Sequence, residues 1–264
     1  MLKKIKSYSS VLWQLILADL VGYSSSRYLK DLLDSFFWIA TTLFVSGKLL
    51  GSFGIAPGFG IFVATGVPAT RCLFQIYGRT TTVIIDFLSN KSISYDITLP
   101  IPSWLAIFRI ALSSCIRNLL LSLPALPFGL IFVWDEFNPA TVCILKYILI
   151  LFLTAFCCAT LGLLIASVTN SAEELGSIWN RILSPMWMLG GFQFPWSTLN
   201  AKISFLGKLA LLNPMTYAME GIRSTILGPE KFLSFWLCVV ALIVFSTLFS
   251  YFGIKRMAKK LDSV

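Results

Sequence analysis

The sequence predicts an all-α integral membrane protein with six transmembrane helices, and three observations predict it. Of 264 residues, 57% are hydrophobic and only 12% are charged, with a mean hydropathy of +0.82, a balance that does not fit a water-soluble chain. Apolar runs of about 20 residues, the length that crosses the hydrocarbon core of a bilayer as a helix, recur along the chain. Basic residues crowd the two ends, with Lys3, Lys4, Lys6, Arg27 and Lys30 before the first apolar run and Lys255, Arg256, Lys259 and Lys260 after the last. At this length the spans and their connections make one membrane domain over 1–264, with no room for an appended soluble domain.

Taken in order, residues 1–31 mix Val11, Leu12, Trp13, Leu15, Ile16 and Leu17 with Asp19, serines and basic residues. This stretch is too polar to cross and suits an amphipathic helix lying in the cytoplasmic interface. It holds no compact apolar run closed by a small-residue cleavage site, so a removed signal peptide is not expected. The first span is expected over 32–50, with Asp34 and Lys48 near its ends, followed by a Gly/Pro turn over 51–60. The second, 60–77, carries Arg71 toward its inner end, where a long side chain reaches the headgroups. Residues 78–104 turn polar and then meet Pro100 and Pro102, which makes them the long cytoplasmic connection.

The third span, 105–133, begins in the interface with Arg109 and Arg117 and is bent by Pro124 and Pro127. A short outer turn over 134–140 leads to the fourth span, within 147–172. An inner loop containing Asn170, Glu173 and Glu174 leads to the fifth, 178–194, which has Arg181 near its inner end. Residues 195–231 form an outer connection that is unusually apolar. Its segments are too short to span and are broken by an Asn-Pro pair and glycines, so they read as a re-entrant hairpin that dips into the bilayer from outside and returns. The sixth span is the uncharged run 232–254. In this arrangement 11 Lys and Arg residues lie in inner segments and 5 in outer ones, which puts both termini in the cytoplasm.

Several chemistries are excluded. With no histidine, the chain cannot build a Ser-His or Cys-His nucleophile or a His-Glu-x-x-His zinc site. No Gly-x-x-x-x-Gly-Lys-Ser/Thr is present, the nearest approach being Gly47-Lys48-Leu49, so ATP is not hydrolysed here through a P-loop. The six cysteines, Cys72, Cys115, Cys143, Cys157, Cys158 and Cys238, lack metal spacing and read as small buried hydrophobes. The excess of positive charge reads as membrane topology, and nucleic acid is not an expected partner.

The remaining motifs admit two readings each. The apolar run Val83, Ile84, Ile85, Phe87, Leu88, closed by Pro100 and Pro102, is either an ordinary amphipathic connector or a rigid lever on which a soluble motor pushes. The N-terminal helix is either an anchor or a docking and gating element. Arg71, Arg109, Arg117 and Arg181 either snorkel or mark an anion pathway, and the aromatics, Phe192, Phe194, Trp196 and Tyr217 among them, face lipid or line a path. At the level of the whole chain the rivals to an ATP-driven exporter are a secondary transporter or channel and a non-transporting scaffold. Neither mid-span coupling charges nor a half-to-half repeat is present to favour the former.

The segment LNPMTYAMEGIRSTILG (212–228) resembles the Asn-Pro-x-x-Tyr…Gly-x-Arg…Leu-Gly stretch of membrane-spanning permease subunits of ATP-binding-cassette (ABC) exporters of the type-2 polysaccharide and drug export family. GGFQFPWSTLN (190–200) is similar to the Gly-x-x-Phe-Pro element that ends the fifth span in that family, and DFLSNKSISYDITLPIP (86–102) resembles its coupling segment. The resemblance covers nearly the whole chain. It implies that Asp86, Phe87, Leu88, Asn90 and Lys91 face an ATPase, and that Gly191, Phe194, Pro195, Asn213, Pro214, Tyr217, Gly221 and Arg223 shape an outer gate, with Arg223 anchored at the headgroups. It further implies two ATP-binding subunits that carry ATP and Mg, and a second permease chain, either a copy or a homologue. The expected cargo is an amphipathic lipid, glycolipid, lipid-linked polysaccharide or hydrophobic drug, and the expected location is the bacterial inner membrane among its lipids.

Overall fold

The computed structural model describes residues 2–21, 25–50, 58–86 and 102–262, and every regular element among them is a helix. In chain order these are α1 (Leu2–Val21), α2 (25–50), α3 (Phe59–Ile85), α4 (Ser103–Ser122), α5 (Ala125–Leu130), α6 (Ile144–Val168), α7 (172–192), α8 (Trp196–Lys202), α9 (Ser204–Ala210), α10 (Pro214–Ile226) and α11 (Phe235–Asp262). Four stretches are long and apolar enough to cross a membrane: 59–85, 103–130, 144–168 and 235–260.

α6 lies at the centre and packs against α3, α4, α10 and α11. Its only charge is Lys146, and its middle is built from Ala155, Cys157, Cys158, Ala159 and Thr160, small side chains that allow neighbouring backbones to come close. α11 turns Cys238, Leu242, Ser246, Gly253 and Met257 inward, while its outer stripe of Trp236, Val240, Ile243, Val244, Leu248 and Phe252 is exposed and equally apolar. In water the outer stripe of a helix is polar; an apolar one requires lipid. Five cysteines are buried as expected, but Cys143 is exposed at the start of α6, where its backbone N–H donates to Thr225.

The boundaries differ from the sequence reading in four places. The interfacial helix ends at Val21, and α2 begins at Ser25, inside the segment assigned to the interface. α3 continues past Tyr77 to Ile85, so the first residues of the 78–104 connection are helix. Arg71 therefore lies about four turns from that end and is buried, 9% exposed, instead of snorkelling. The third span breaks at Leu123-Pro124, where the ring ends α4 and a second short helix, α5, restarts. The fifth is not one regular helix: α7 is α-helical over Ala172–Ile178, π-wound over Trp179–Leu183, α-helical over Ser184–Trp187 and wide again over Met188–Phe192. An aromatic ladder holds it to α3, with Phe74 5.3 Å from Trp179 and 5.6 Å from Trp187.

The contacts sort the connections into two ends. At one end α1 packs on α4 through the Asp19–Arg109 ion pair of 3.4 Å and an Arg117 hydrogen bond to the Asp19 carbonyl, so these two arginines are held by the N-terminal helix. At the same end Lys260 donates to the carbonyls of Thr169, at 2.6 Å, and Ala166. At the other end Glu136 accepts from the N–H of Ile61 at 3.0 Å, and Thr141 bonds Ile226. The N-terminal helix, the end of α3 at Asp86, the start of α4 and the end of α11 thus share one end of the bundle, and α8–α10 occupy the opposite one.

Candidate functional site

α10 is the least expected element, a short helix whose residues from Pro214 to Ile226, Tyr217 apart, are buried, charged ones included. Asn213 starts it. Its side-chain oxygen accepts from the N–H of Met215 at 3.0 Å, an N-cap, while its amide donates to the carbonyl of Met186 in α7 at 2.7 Å. Pro214 fills the first helical position, where no N–H is needed. Tyr217 donates to the carbonyl of Leu211 at 2.9 Å and closes the turn before the helix. Gly221 is a close approach: a Cβ there would stand 2.8 Å from Cγ1 of Ile150 in α6.

Arg223 is fully buried. Its Nη2 donates to the carbonyl of Phe192 at 3.1 Å, its Nη1 to that of Gly191, and its Nε to that of Phe62 at 3.3 Å. The guanidinium lies 3.6 Å from the centroid of the Phe62 ring. The carbonyls of Gly191 and Phe192 close α7, where a helix leaves acceptors without partners, and Gly191 turns the chain away at φ +89°, a conformation that suits glycine. One guanidinium therefore caps the end of α7, ties it to the first turn of α3 and is compensated by three acceptors and a π-face. The expectation that Arg223 anchors at the headgroups is corrected. Its fork turns inward because orphaned carbonyls in an apolar interior draw it more strongly than water at the rim.

Glu220, one turn earlier and also fully buried, was not singled out from the sequence. Its carboxylate accepts from the N–H of Trp196 at 2.8 Å and from that of Leu233 at 3.1 Å. It caps the N-terminus of α8 and pins the lead-in to α11. The single turn 220–223 thus fixes four chain segments: the start of α3, the end of α7, the start of α8 and the approach to α11. Pro195, half-buried, sits at the N-cap of α8, beside the Trp196 N–H that Glu220 holds, and Phe194 is half-buried next to it. The Glu220/Arg223 spacing of three residues, in a stretch with no other charge, was the signal available in the sequence.

Beside this turn, α7, α9, the start of α10 and α11 border an open groove of about 470 Å³. Its walls are apolar, Pro185, Leu189, Leu209 and Phe249 among them, and Arg181 is its only charge. Of the residues assigned to coupling, Asp86 ends α3 and is half-buried at the far end of the bundle from Arg223. Phe87, Leu88, Asn90 and Lys91 lie outside the described residues. None of these groups forms a nucleophile–base pair. What the arrangement can do is mechanical, holding or releasing one end of a helical bundle.

A family model described as ABC-2 type transporter matches residues 41–227, a stretch that opens in α2 and closes at the end of α10, so that it contains the Glu220/Arg223 turn. No curated protein matches the chain. From the apolar outward-facing helices and a match over most of its length, the chain belongs to the ABC-2 type transporter family and is a multi-pass membrane permease component.

Proposed function

We propose that the chain is the permease half of an ATP-driven exporter, with α2, α3, α4–α5, α6, α7 and α11 as six spans and α8–α10 as a re-entrant outer segment. Both termini, the 86–102 connection and the 169–171 turn then face the cytoplasm, an orientation that the clustered Lys and Arg of the two terminal segments favour. The single observation that carries this reading is that the two halves of the bundle differ in kind. One end has α1 and the end of α3 at Asp86, where the connection begins; the other is held by one polar turn, 220–223, on which four segments depend.

Two ATP-binding subunits, each carrying ATP and Mg, push the 86–102 segment on closing. The spans tilt, the 220–223 turn gives way, and a route opens between this chain and a second permease chain, a copy or a homologue. An amphipathic cargo, whether lipid, glycolipid, lipid-linked polysaccharide or hydrophobic drug, fits the apolar groove with Arg181 at its edge. The bacterial inner membrane, where a motor in the cytoplasm meets such cargo, is the location that goes with it.

Charge reversal at the connection tests the coupling. The double variant D86K/K91E is expected to leave the assembled complex intact and able to hydrolyse ATP while transport stops. Undiminished transport in that variant would falsify the assignment of the segment.

A further inference from the structure

At the end of the bundle where α1 packs on α4, four arginines from three helices converge on one cleft of about 310 Å³: Arg27 of α2, Arg79 of α3, and Arg109 and Arg117 of α4. α1 closes it with Ala18 and Asp19, and Asp86 borders it. A second cleft of about 230 Å³ adjoins, sharing Arg27, Arg79 and Arg117 and adding Asp31. Among the described residues, four guanidinium groups against three carboxylates leave one net positive charge across both clefts. Asp19 meets Arg109 at 3.4 Å, and Arg79 donates to Ser114 at 3.3 Å.

Cations gathered at the rim of a hydrocarbon layer repel one another and lose hydration, and a further anion removes both penalties. The planar forks of arginine match the oxygens of a phosphate in paired, bidentate hydrogen bonds. A phosphodiester, with one negative charge, brings the clefts to neutrality. The remaining wall combines the hydroxyl residues Thr82 and Ser113 with Ala18, Val83 and Ile110, and its apolar part suits the carbon adjoining a headgroup.

We propose that this cleft binds a phosphate ester and that the phosphate is carried by an anionic lipid headgroup. Bound there, the headgroup ties α1 and α2 to the inner ends of α3 and α4, beside the connection that begins at Asp86. This inference does not depend on the driving of transport by ATP, since the cleft is complete within this chain.

The test uses the full chain in phosphatidylcholine nanodiscs with increasing phosphatidylglycerol, read by thermal unfolding and by native mass spectrometry of retained lipid. Phosphatidylglycerol is expected to raise the unfolding temperature and to remain bound. The variant R27Q/R79Q is expected to need about tenfold more of it, since charge-assisted hydrogen bonds to phosphate are lost. K208Q/K231Q, which removes the same charge at the opposite end, is expected to change nothing. Should R27Q/R79Q fail to fold, R27Q alone, at an exposed position, is expected to weaken lipid retention by a smaller factor. Millimolar inorganic phosphate in lipid-free detergent separates the sources: protection there equal to that from phosphatidylglycerol overturns the lipid assignment. Equal lipid responses in the native chain and both arginine variants overturn the site itself.

Discussion

Arg223 and Glu220 do opposite jobs on the same turn, one donating to carbonyls and the other accepting from N–H groups, and each job has its own substitution. R223M leaves the carbonyls of Phe62, Gly191 and Phe192 without their donor. It is expected to destabilise the chain by about 3 kcal/mol or more, at roughly 1–3 kcal/mol for each group left unsatisfied, measured by thermal unfolding in a fixed detergent. E220Q keeps one acceptor oxygen and is expected to cost about 1–2 kcal/mol. Because the two side chains are one turn apart, the double variant is expected to lose less than the sum, and strict additivity would show that they act separately. At Gly221, alanine is expected to cost about 1–3 kcal/mol by overpacking against Ile150, and G221A/I150A to recover part of that loss. Asn213, Gly221 and Arg223 were legible in the sequence because they stand in a short motif. Glu220 was not, because both N–H groups it serves, those of Trp196 and Leu233, are distant in the chain and emerge only with the fold.

Among the elements, α10 depends on its cap. N213A is expected to cost about 1 kcal/mol for the N-cap and more for the Met186 carbonyl, whereas N213S keeps a cap oxygen and loses the amide donor to Met186 without adding a charge. An unfolding temperature for N213S between those of the native chain and N213A is the expected result, and equality with N213A contradicts the cap. The four long apolar helices could be read directly, since a run of about 20 predominantly apolar residues has few alternatives to spanning. The extension of α3 could not. Gly78-Arg79-Thr80-Thr81-Thr82 reads as a polar loop, yet Thr81 and Thr82 donate to the carbonyls of Tyr77 and Gly78, each at 2.9 Å, and so hide their hydroxyls along the helix. α7 was hard for the reverse reason. Its apolar content suits a span, but its wide turns and its break at Gly191 are set by Arg223 and by the aromatic ladder to α3, neither of which has a local signature.

For the molecule as a whole, the grouping of contacts into two ends makes the topology testable. In a Cys143→Ser background, cysteine at Asn138 is expected to react with an impermeant thiol reagent only from outside the cell and cysteine at Asn170 only from inside; both positions are exposed. Labelling of the two from the same side would contradict the crossing of the membrane by α6, which lies between them. The absence of histidine and of a P-loop motif argues against imidazole and P-loop chemistry in this chain, and the proposed role is mechanical, played by a bundle held at one end by a polar turn. The central claim is that the energy comes from that partner. It is tested by purifying the tagged chain from its own membranes in mild detergent without crosslinker and measuring ATP hydrolysis in the eluate. The account predicts an eluate that hydrolyses ATP and contains a nucleotide-binding subunit in equal proportion to this chain. An eluate that holds this chain alone, hydrolyses no ATP and still transports after reconstitution would contradict it.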